Sequence, residues 1–470
     1  MAISKKSVLR DHRLFAVIIV TVLGMIAYAT WPSLVRKERP TLAQVMAKDA
    51  VQQTEISIGP NVHVSASNES FSHKEVDIAA DPTDPQRLFA SAISYLNSNI
   101  ARVIGYRSED GGKSWHASAV PRNEPRENQF DQSIAFDAGG ALYLVFRTLP
   151  EVEVEPVETS FRFFRSTDLG RTWEATGTID GGKELDRPYL AIDRSSGPFR
   201  GRLYCSSFYR LYSSADEGKT FRGHSYRIPE QSVAPHPSNP SVFSDGTVVI
   251  SYLDWRQTLN ERPGLGFFTS IDGGGSIREL PSLSARWQGE PCHIGHFWYL
   301  PGLAVGDVEG PYRDRLYAVW DDGDGPLRVR ILFAYSNDKG KSWTGPIILS
   351  EQPADGGSGY SAHMPEVAVN KDGFVAVSWY DRRGLPDVKG KRVPQYGEGC
   401  NIRLRLSFDG GDTWQPSVQL NEKPIRAMVH DLRDHCGLTA DDTGVFHPSW
   451  IDDRTGILQV WTAAVNVIKK

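Results

Sequence analysis

From Thr54 onward, short runs of alternating apolar and polar residues are separated by Gly, Pro, Asn and Asp. Alternation with a period of two is typical of half-buried strands rather than helices. One apolar pattern recurs and predicts the innermost strands of repeated sheets, at residues 76–81, 133–137, 189–193, 303–306, 367–370 and 438–441. Residues 244–252 supply a further sheet whose inner strand is least clear. The pattern therefore predicts an all-β chain made of repeated units.

A turn sequence, Ser-x-Asp-x-Gly-x-Ser/Thr-aromatic, recurs along the same region. It occurs at residues 108–115, 166–173, 214–221, 336–343 and 407–414, and a weaker copy at 270–277 lacks the aromatic residue. The Asp can accept hydrogen bonds from the following amides, the Gly can adopt a positive φ, and the hydroxyls can tie the ends of the turn together. We interpret these boxes as structural turns between strands rather than as catalytic elements.

The boxes resemble the Asp-box, or BNR, repeats of sialidase-like β-propellers, and the resemblance extends from about Glu75 to the C-terminus. It implies an all-β β-propeller. The boxes recur about every sixty residues, so residues 54–470 favour seven blades; six, the number typical of sialidases, is the alternative. The last blade lacks a box, and we expect the segment 54–63 to supply its outer strand and close the ring.

The N-terminus predicts export. Residues 1–13 form a basic tail, residues 14–31 are an apolar run long enough for a transmembrane signal anchor, and residues 32–53 form a stalk. A cleaved signal peptide is the alternative, because Ala27-Tyr28-Ala29 resembles a cleavage site. We expect a monomeric propeller, residues 54–470, held outside the cytoplasm by a single membrane-spanning helix.

Charge and cysteine content narrow the choice of partners. The net charge is −5 although residues 1–40 are basic, so the body is acidic and nucleic acid is not the expected partner. The four cysteines lack a metal-type spacing. In an exported body Cys400 and Cys436 are a candidate disulfide, and free buried thiols are the alternative.

Three predicted second strands end in Ser-aromatic-x-Asp-x-Arg, at residues 251–256, 378–383 and 449–454. One interpretation is an ion pair within each loop that stiffens the turn. The other is a cluster that binds a carboxylate ligand with bidentate geometry, and the resemblance to sialidases implies such a three-arginine grip. The candidate substrate-binding residues are Asp254, Arg256, Arg383, Asp452 and Arg454, together with Arg187 in another loop.

Candidate catalytic groups lie in the same loops. Sialidases use a Tyr nucleophile with a Glu and an Asp, and the resemblance implies Tyr380 as that nucleophile, with Glu366, Asp131 and Asp381 as candidate carboxylates. No cofactor is expected, although residues 321–325 form an acidic loop that is a weak candidate for Ca²⁺.

These features predict a sialidase-like, exo-acting glycoside hydrolase that acts on acidic glycans. Sialidases carry an Arg-Ile-Pro triplet before the first box, whereas here it occurs at residues 227–229, after the third. The alternatives are therefore a non-catalytic propeller that binds a glycan or a protein, and a polysaccharide lyase.

Overall fold

The structure is a computed structural model that describes residues 54–469. It leaves out residues 98, 122–126, 152–158, 182–184, 209, 227–236, 255–263, 284–300, 307–311, 324–327, 352–359, 384, 386–398, 428–431 and 433–435. The basic tail, the apolar run, the stalk, Arg256 and Cys292 therefore lie outside the described residues. Within the described ranges no helix is long and apolar enough to cross a bilayer.

The described residues form thirty strands and a short 3-10 helix at Ala66–Asn68. Two strands precede the first complete sheet, β1 (Thr54–Ile58) and β2 (Val62–His63). Two antiparallel sheets of four strands follow, β3 (Ser72–Ala80), β4 (Leu88–Asn97), β5 (Ile100–Ser108) and β6 (His116–Ser118), then β7 (Glu127–Phe136), β8 (Leu142–Pro150), β9 (Thr159–Ser166) and β10 (Glu174–Gly181).

The next two sheets have the same layout. They contain β11 (Tyr189–Ile192), β12 (Leu203–Ser207), β13 (Arg210–Ser214) and β14 (Arg222–Ser225), then β15 (Ser241–Val242), β16 (Val248–Asp254), β17 (Gly264–Ser270) and β18 (Arg278–Leu283). Strand β15 has only two residues, which explains why its apolar pattern is the least clear of the inner strands.

An eight-stranded sheet comes next and consists of two halves. The halves are β19 (Gly302–Val305), β20 (Leu316–Gly323), β21 (Arg328–Ser336) and β22 (Thr344–Ile348), and β23 (Tyr360–Val369), β24 (Val375–Asp381), β25 (Asn401–Ser407) and β26 (Val418–Gln419). Two parallel residue pairs between β21 and β23 join them. Each half is thus built like one of the four-stranded sheets.

The last sheet joins the two ends of the described chain. It contains β27 (Gly437–Ala440), β28 (Phe446–Asp452), β29 (Gln459–Thr462) and β30 (Val465–Lys469). The N-terminal strand β1 pairs with β30 and β2 pairs with β29, as the missing box in this blade led us to expect.

The innermost strands lie against one another in chain order, β3, β7, β11, β15, β19, β23 and β27, and β27 in turn lies against β3. This cyclic order makes the fold a β-propeller. Apolar side chains fill the spaces between neighbouring sheets; Phe89 and Phe146, for example, pack with Phe164 between the first two.

The box turns have the predicted structure. In the second box the Asp168 carboxylate accepts hydrogen bonds from Thr172 N at 2.8 Å and Thr172 Oγ1 at 2.6 Å, and Ser166 Oγ accepts one from Gly170 N at 2.8 Å. Gly170 has a φ of 74°, which favours glycine. The weak copy at residues 270–277 keeps the same bonds around Asp272.

The candidate disulfide is absent, and that prediction was wrong. Cys400 and Cys436 are free and fully buried, as is Cys205. Cys436 Sγ is directed to the Met364 carbonyl oxygen at 3.4 Å rather than to Cys400. Burial raises the pKa of both thiols, so they behave as small apolar side chains.

Candidate functional site

We call the end of the ring at which the innermost strands begin the mouth. In an antiparallel sheet the innermost strand runs away from this end, the second returns, and the third runs away again. The boxes connect third to fourth strands and therefore lie at the opposite end. The loops that enter the inner strands and those that follow the second strands line the mouth.

A left-handed residue recurs where inner strands begin at the mouth. Glu75, Asp131, Arg187 and Met364 have φ values of 54°, 51°, 50° and 56°. In β3, β7 and β23 this residue forms part of a β-bulge. A non-glycine residue with positive φ is uncommon, and a bulge changes the direction of the side chains beside it. The bulges thus break strand alternation at the mouth.

Three charged side chains meet there. Arg147, on β8, lies with Nη1 3.4 Å from Asp131 Oδ2, and the same nitrogen donates a hydrogen bond to Asp186 Oδ1. Burial and the neighbouring Asp131 raise the pKa of Asp186 to about 6, although Arg147 and Arg187 oppose the shift. The Arg147 and Asp186 side chains remain 19% and 23% exposed, so a ligand can reach them. We call Asp131, Arg147 and Asp186 the mouth cluster.

Two further carboxyl groups face the axis below the bulges. Asp77 accepts hydrogen bonds from Ile78 N at 2.8 Å and Ile134 N at 3.1 Å, and burial raises its pKa to about 6. Burial, followed by the charge of Asp77, raises the pKa of Glu366 to about 8. Both residues keep some exposed surface, but protein encloses their carboxyl groups closely. We call them the axial pair.

Two of the three Ser-aromatic-x-Asp-x-Arg loops, those at residues 378–383 and 449–454, form internal ion pairs. Asp381 accepts hydrogen bonds from Arg383 N at 2.7 Å and Trp379 Nε1 at 2.9 Å, and its Oδ2 lies 3.0 Å from Arg383 Nη2. Arg383 also contacts Glu351 at 2.6 Å. Although burial opposes the shift, hydrogen bonds from Ser417 and Arg383 lower the pKa of Glu351 to about 2.

The last of these loops has the same arrangement. Asp452 accepts hydrogen bonds from Arg454 N and Arg454 Nε, each at 2.8 Å, and the guanidinium lies 4.2 Å from the centre of the Trp461 ring. Asp254 accepts a hydrogen bond from Ser282 Oγ at 2.9 Å. Arg383 and Arg454 are thus bound in separate loops, and the role of the three-arginine set stays a prediction because Arg256 lies outside the described residues.

Tyr380 is fully buried, and its hydroxyl accepts a hydrogen bond from Ile451 N at 2.9 Å. Burial raises its pKa well above the usual value. Its hydroxyl is therefore enclosed in the core beside Cys436 and Cys400 and does not face the opening. The nucleophilic role stays a prediction that this position does not favour.

The structure brings together some predicted residues and adds others. Asp131 is in the mouth cluster, Arg187 is near it, and Glu366 is one of the axial pair. Sequence reasoning missed the importance of Arg147 and Asp77. Two signals were available in the sequence. Arg147 is an arginine within the apolar strand Leu142–Pro150, and Asp77 is an acidic residue at the same register position as Glu366.

Among the described side chains, no group of three or more His, Cys, Asp or Glu is arranged to hold a metal ion. Residues 321–323 of the predicted acidic loop are instead the end of strand β20, where Asp321 Oδ2 lies 3.4 Å from His363 Nδ1. Residues 324–325 fall outside the described ranges, so Ca²⁺ binding there stays a prediction.

Sequence similarity to a known protein covers part of the chain. No family model matches the chain. A xyloglucanase from Paenibacillus sp. is 25% identical over 304 residues, which cover 57% of this chain and 26% of that protein. The chain thus spans about a quarter of that relative's length.

The solved structures concern the fold. A protein of unknown function from Dyadobacter fermentans DSM 18053 aligns with a TM-score of 0.50 and 12% identity, covering 88% of this chain and 99% of that one. The Hadza microbial sialidase Hz136 aligns with a TM-score of 0.45 and 15% identity, covering 86% and 68%. The chain is a β-propeller built on Asp-box repeats, with sialidase-like propellers among its structural neighbours.

Proposed function

We propose that this protein is a glycoside hydrolase that acts on an acidic glycan at the mouth cluster. The observation that carries the proposal is the placement of two carboxyl groups on one guanidinium nitrogen in an accessible opening. Asp186, whose pKa is raised to about 6, is the general acid, because it can hold a proton near neutral pH. Asp131 is the nucleophile, and Arg147 keeps the two carboxyl groups in place.

The closeness of the two carboxyl groups also favours one stereochemical outcome. Both contact the same nitrogen of Arg147. In retaining enzymes the two groups are about 5–5.5 Å apart, whereas inverting enzymes need room for a water molecule between acid and base. We therefore expect retention at the anomeric centre, with Arg187 beside the cluster as the candidate partner of a substrate carboxylate.

A panel of fluorogenic sialosides, uronides and arabinosides, together with xyloglucan oligosaccharides, tests the proposal. We expect hydrolysis of at least one acidic glycoside, with retention seen by NMR, and a fall in kcat of about 10²- to 10⁴-fold in Asp186→Asn and Asp131→Asn. Glu174→Gln, at an exposed position on β10, is the matched control and should keep full activity. Inactivity across the panel would contradict the proposal.

A second function, a non-catalytic propeller that binds a glycan or protein, is favoured by the burial of Tyr380 and by the loop-bound Arg383 and Arg454. It predicts binding of an acidic glycan on an array without turnover, with affinity unchanged by Asp186→Asn. An ultraviolet-absorbing unsaturated product would instead indicate a lyase.

We infer that the ring has seven blades. Seven innermost strands follow one another in cyclic order, and the eight-stranded sheet divides into two four-strand halves joined by only two residue pairs. A density map that showed six blades would contradict this count.

We also propose that residues 14–31 anchor the propeller in a membrane, with the mouth cluster outside the cytoplasm. The apolar run and its basic flank support this placement. The propeller would then be periplasmic or on the cell surface. Protease treatment of cells whose outer envelope has been permeabilised, with the cytoplasmic membrane intact, should cleave it, whereas protection of the propeller would contradict this orientation.

A further inference from the structure

At one register position, residues of the innermost strands form a layer around the ring axis, below the mouth. In six of the seven innermost strands the residue at this position lies four positions before the turn that ends the strand; these residues are Asp77, Ser133, Tyr189, Gly302, Glu366 and Gly437. Side chains at this position accept hydrogen bonds from backbone N–H groups of the next inner strand. Asp77 Oδ2 accepts from Ile134 N, and Ser133 Oγ accepts from Leu190 N, each at 3.1 Å. The position therefore joins neighbouring blades.

The pattern is interrupted at the blade that closes the ring. Gly302 and Gly437 flank Glu366 on the strands before and after it. A Cβ atom at Gly437 would lie 2.5 Å from Ser449 Oγ and 3.0 Å from Ile78 N. The glycine thus lets β27 approach β3 closely, and it places the Ser449 hydroxyl near the Ile78 amide that donates to Asp77 Oδ1.

The carboxyl groups of the axial pair lack counter-charges. Among the described residues, neither Asp77 nor Glu366 forms an ion pair, and the Glu366 carboxyl group accepts no hydrogen bond. After burial, the negative charge of Asp77 is the second cause that raises the pKa of Glu366. Gly437 lies on the strand between the two residues. Two enclosed carboxylates without a cation are costly unless one takes up a proton or a positive ion lies between them.

Buried hydroxyl groups surround the same place. Ser91 pairs directly with Asp77, and Ser449 pairs with Gly437, so each serine side chain lies on the same sheet face as its partner. Ser91 is 0% and Ser449 1% exposed, and the Oγ atoms have no hydrogen-bond partner among the described residues. Because buried polar atoms are normally partnered, these two oxygens are available as partners for a ligand.

We propose that Glu366 and Asp77 bind a Ca²⁺ ion in the axial channel, with the Ser91 and Ser449 hydroxyls as further oxygen ligands. Two carboxylates balance its charge, and Ca²⁺ accepts six to eight oxygen ligands in flexible geometry, including water. Zn²⁺ sites in proteins usually include His or Cys ligands, and Mg²⁺ demands a near-ideal octahedron. The ion connects β23 with β3 across β27, and thus fastens the blade at which the ring closes.

Thermal unfolding and calorimetry of the full-length chain in detergent test the site. After EDTA treatment we expect Ca²⁺ to raise the Tm by several degrees and Na⁺ at matched ionic strength to have no such effect. Glu366→Gln, which keeps the side-chain size and breaks no hydrogen bond among the described residues, should lose the shift. Asp186→Asn, in the mouth cluster, should keep it and separates this site from the proposed hydrolytic one.

Three outcomes of thermal unfolding would count against the proposed Ca²⁺ site. An equal Tm shift in Glu366→Gln, or no shift with Ca²⁺ in the wild type, overturns the proposal, and a shift with Na⁺ alone overturns the choice of a divalent ion. Calorimetry should show saturable Ca²⁺ binding to the wild type and none to Glu366→Gln. Equal binding by both would overturn the assignment of Glu366 as a ligand.

Discussion

At the scale of single residues, the environment of a carboxyl group decides what it can do. The box aspartates accept several hydrogen bonds, and in Asp168 these bonds lower the pKa to about 2 despite the opposing effect of burial. Glu366, without such donors and beside Asp77, has a pKa of about 8. The first kind of group fixes a turn, and the second is available for protons or cations.

The raised pKa of Glu366 predicts a dependence of stability on pH. The folded protein retains a proton that the unfolded chain releases near pH 4.3, so the free energy of unfolding should fall from about pH 4.3 to 8. In EDTA we expect Glu366→Gln to gain on the order of 2–4 kcal/mol relative to the wild type between pH 5 and pH 8. Urea unfolding at both pH values measures this, and Glu174→Gln should follow the wild type.

Arg147 should matter for stability apart from any activity. Its removal leaves Asp131 and Asp186 facing each other, and the repulsion is greatest when both are ionised. Arg147→Gln should therefore destabilise by about 1–3 kcal/mol, more at pH 8 than at pH 5. Arg162→Gln is the matched control, because Arg162 lies 3.7 Å from Glu127 in a looser pair. Equal losses in both variants would contradict a special role for Arg147.

At the scale of elements, adjacent blades are linked by one repeated contact. Arg202 Nη1 donates to the Gly273 carbonyl oxygen, and Arg315 Nη1 to that of Gly410, each at 2.7 Å. Phe199 and Tyr312, from the same loops, pack against these box glycines. A loop between the first and second strands of one blade thus holds the box of the next.

This linkage predicts an unequal effect of two glycine substitutions. Gly410 and Gly201 both have positive φ, at 67° and 83°. A Cβ at Gly410 would lie 2.3 Å from the Tyr312 ring, whereas one at Gly201 meets nothing within 4 Å. We expect Gly201→Ala to cost about 1 kcal/mol through backbone strain, and Gly410→Ala about 1–3 kcal/mol more through the clash. Chemical denaturation of both variants is the measurement, and similar losses would refute the contact.

Local features were predictable from the sequence, and features that depend on neighbours were not. The boxes and most inner strands follow from residues a few positions apart, so their pattern survives in the sequence. The bulges at Glu75, Asp131 and Met364 carry no glycine that would mark a positive φ. The separate bonding of Arg383 and Arg454 depends on Glu351 and Trp461, which are distant along the chain.

At the scale of the whole molecule, closure of the ring depends on the pairing of β1 with β30. Without β1, strand β30 would become an exposed edge, which is prone to pair with other chains. Ile56 lies opposite Val467 and packs against the core, whereas its neighbour Glu55 faces solvent. The two residues therefore offer a matched pair of positions on the closing strand.

Ile56→Asp should weaken the closure, because it places a charge against the apolar core. We expect a loss of about 2–3 kcal/mol and faster aggregation on heating, with only a small effect from Glu55→Gln. Hydrogen exchange should show the loss of protection first in β30 and β1 and later in the middle blades. If protection fell evenly around the ring, β1 would be an integral part of one cooperative unit rather than a separable closure. If it did not fall at all, the closure would not depend on this strand.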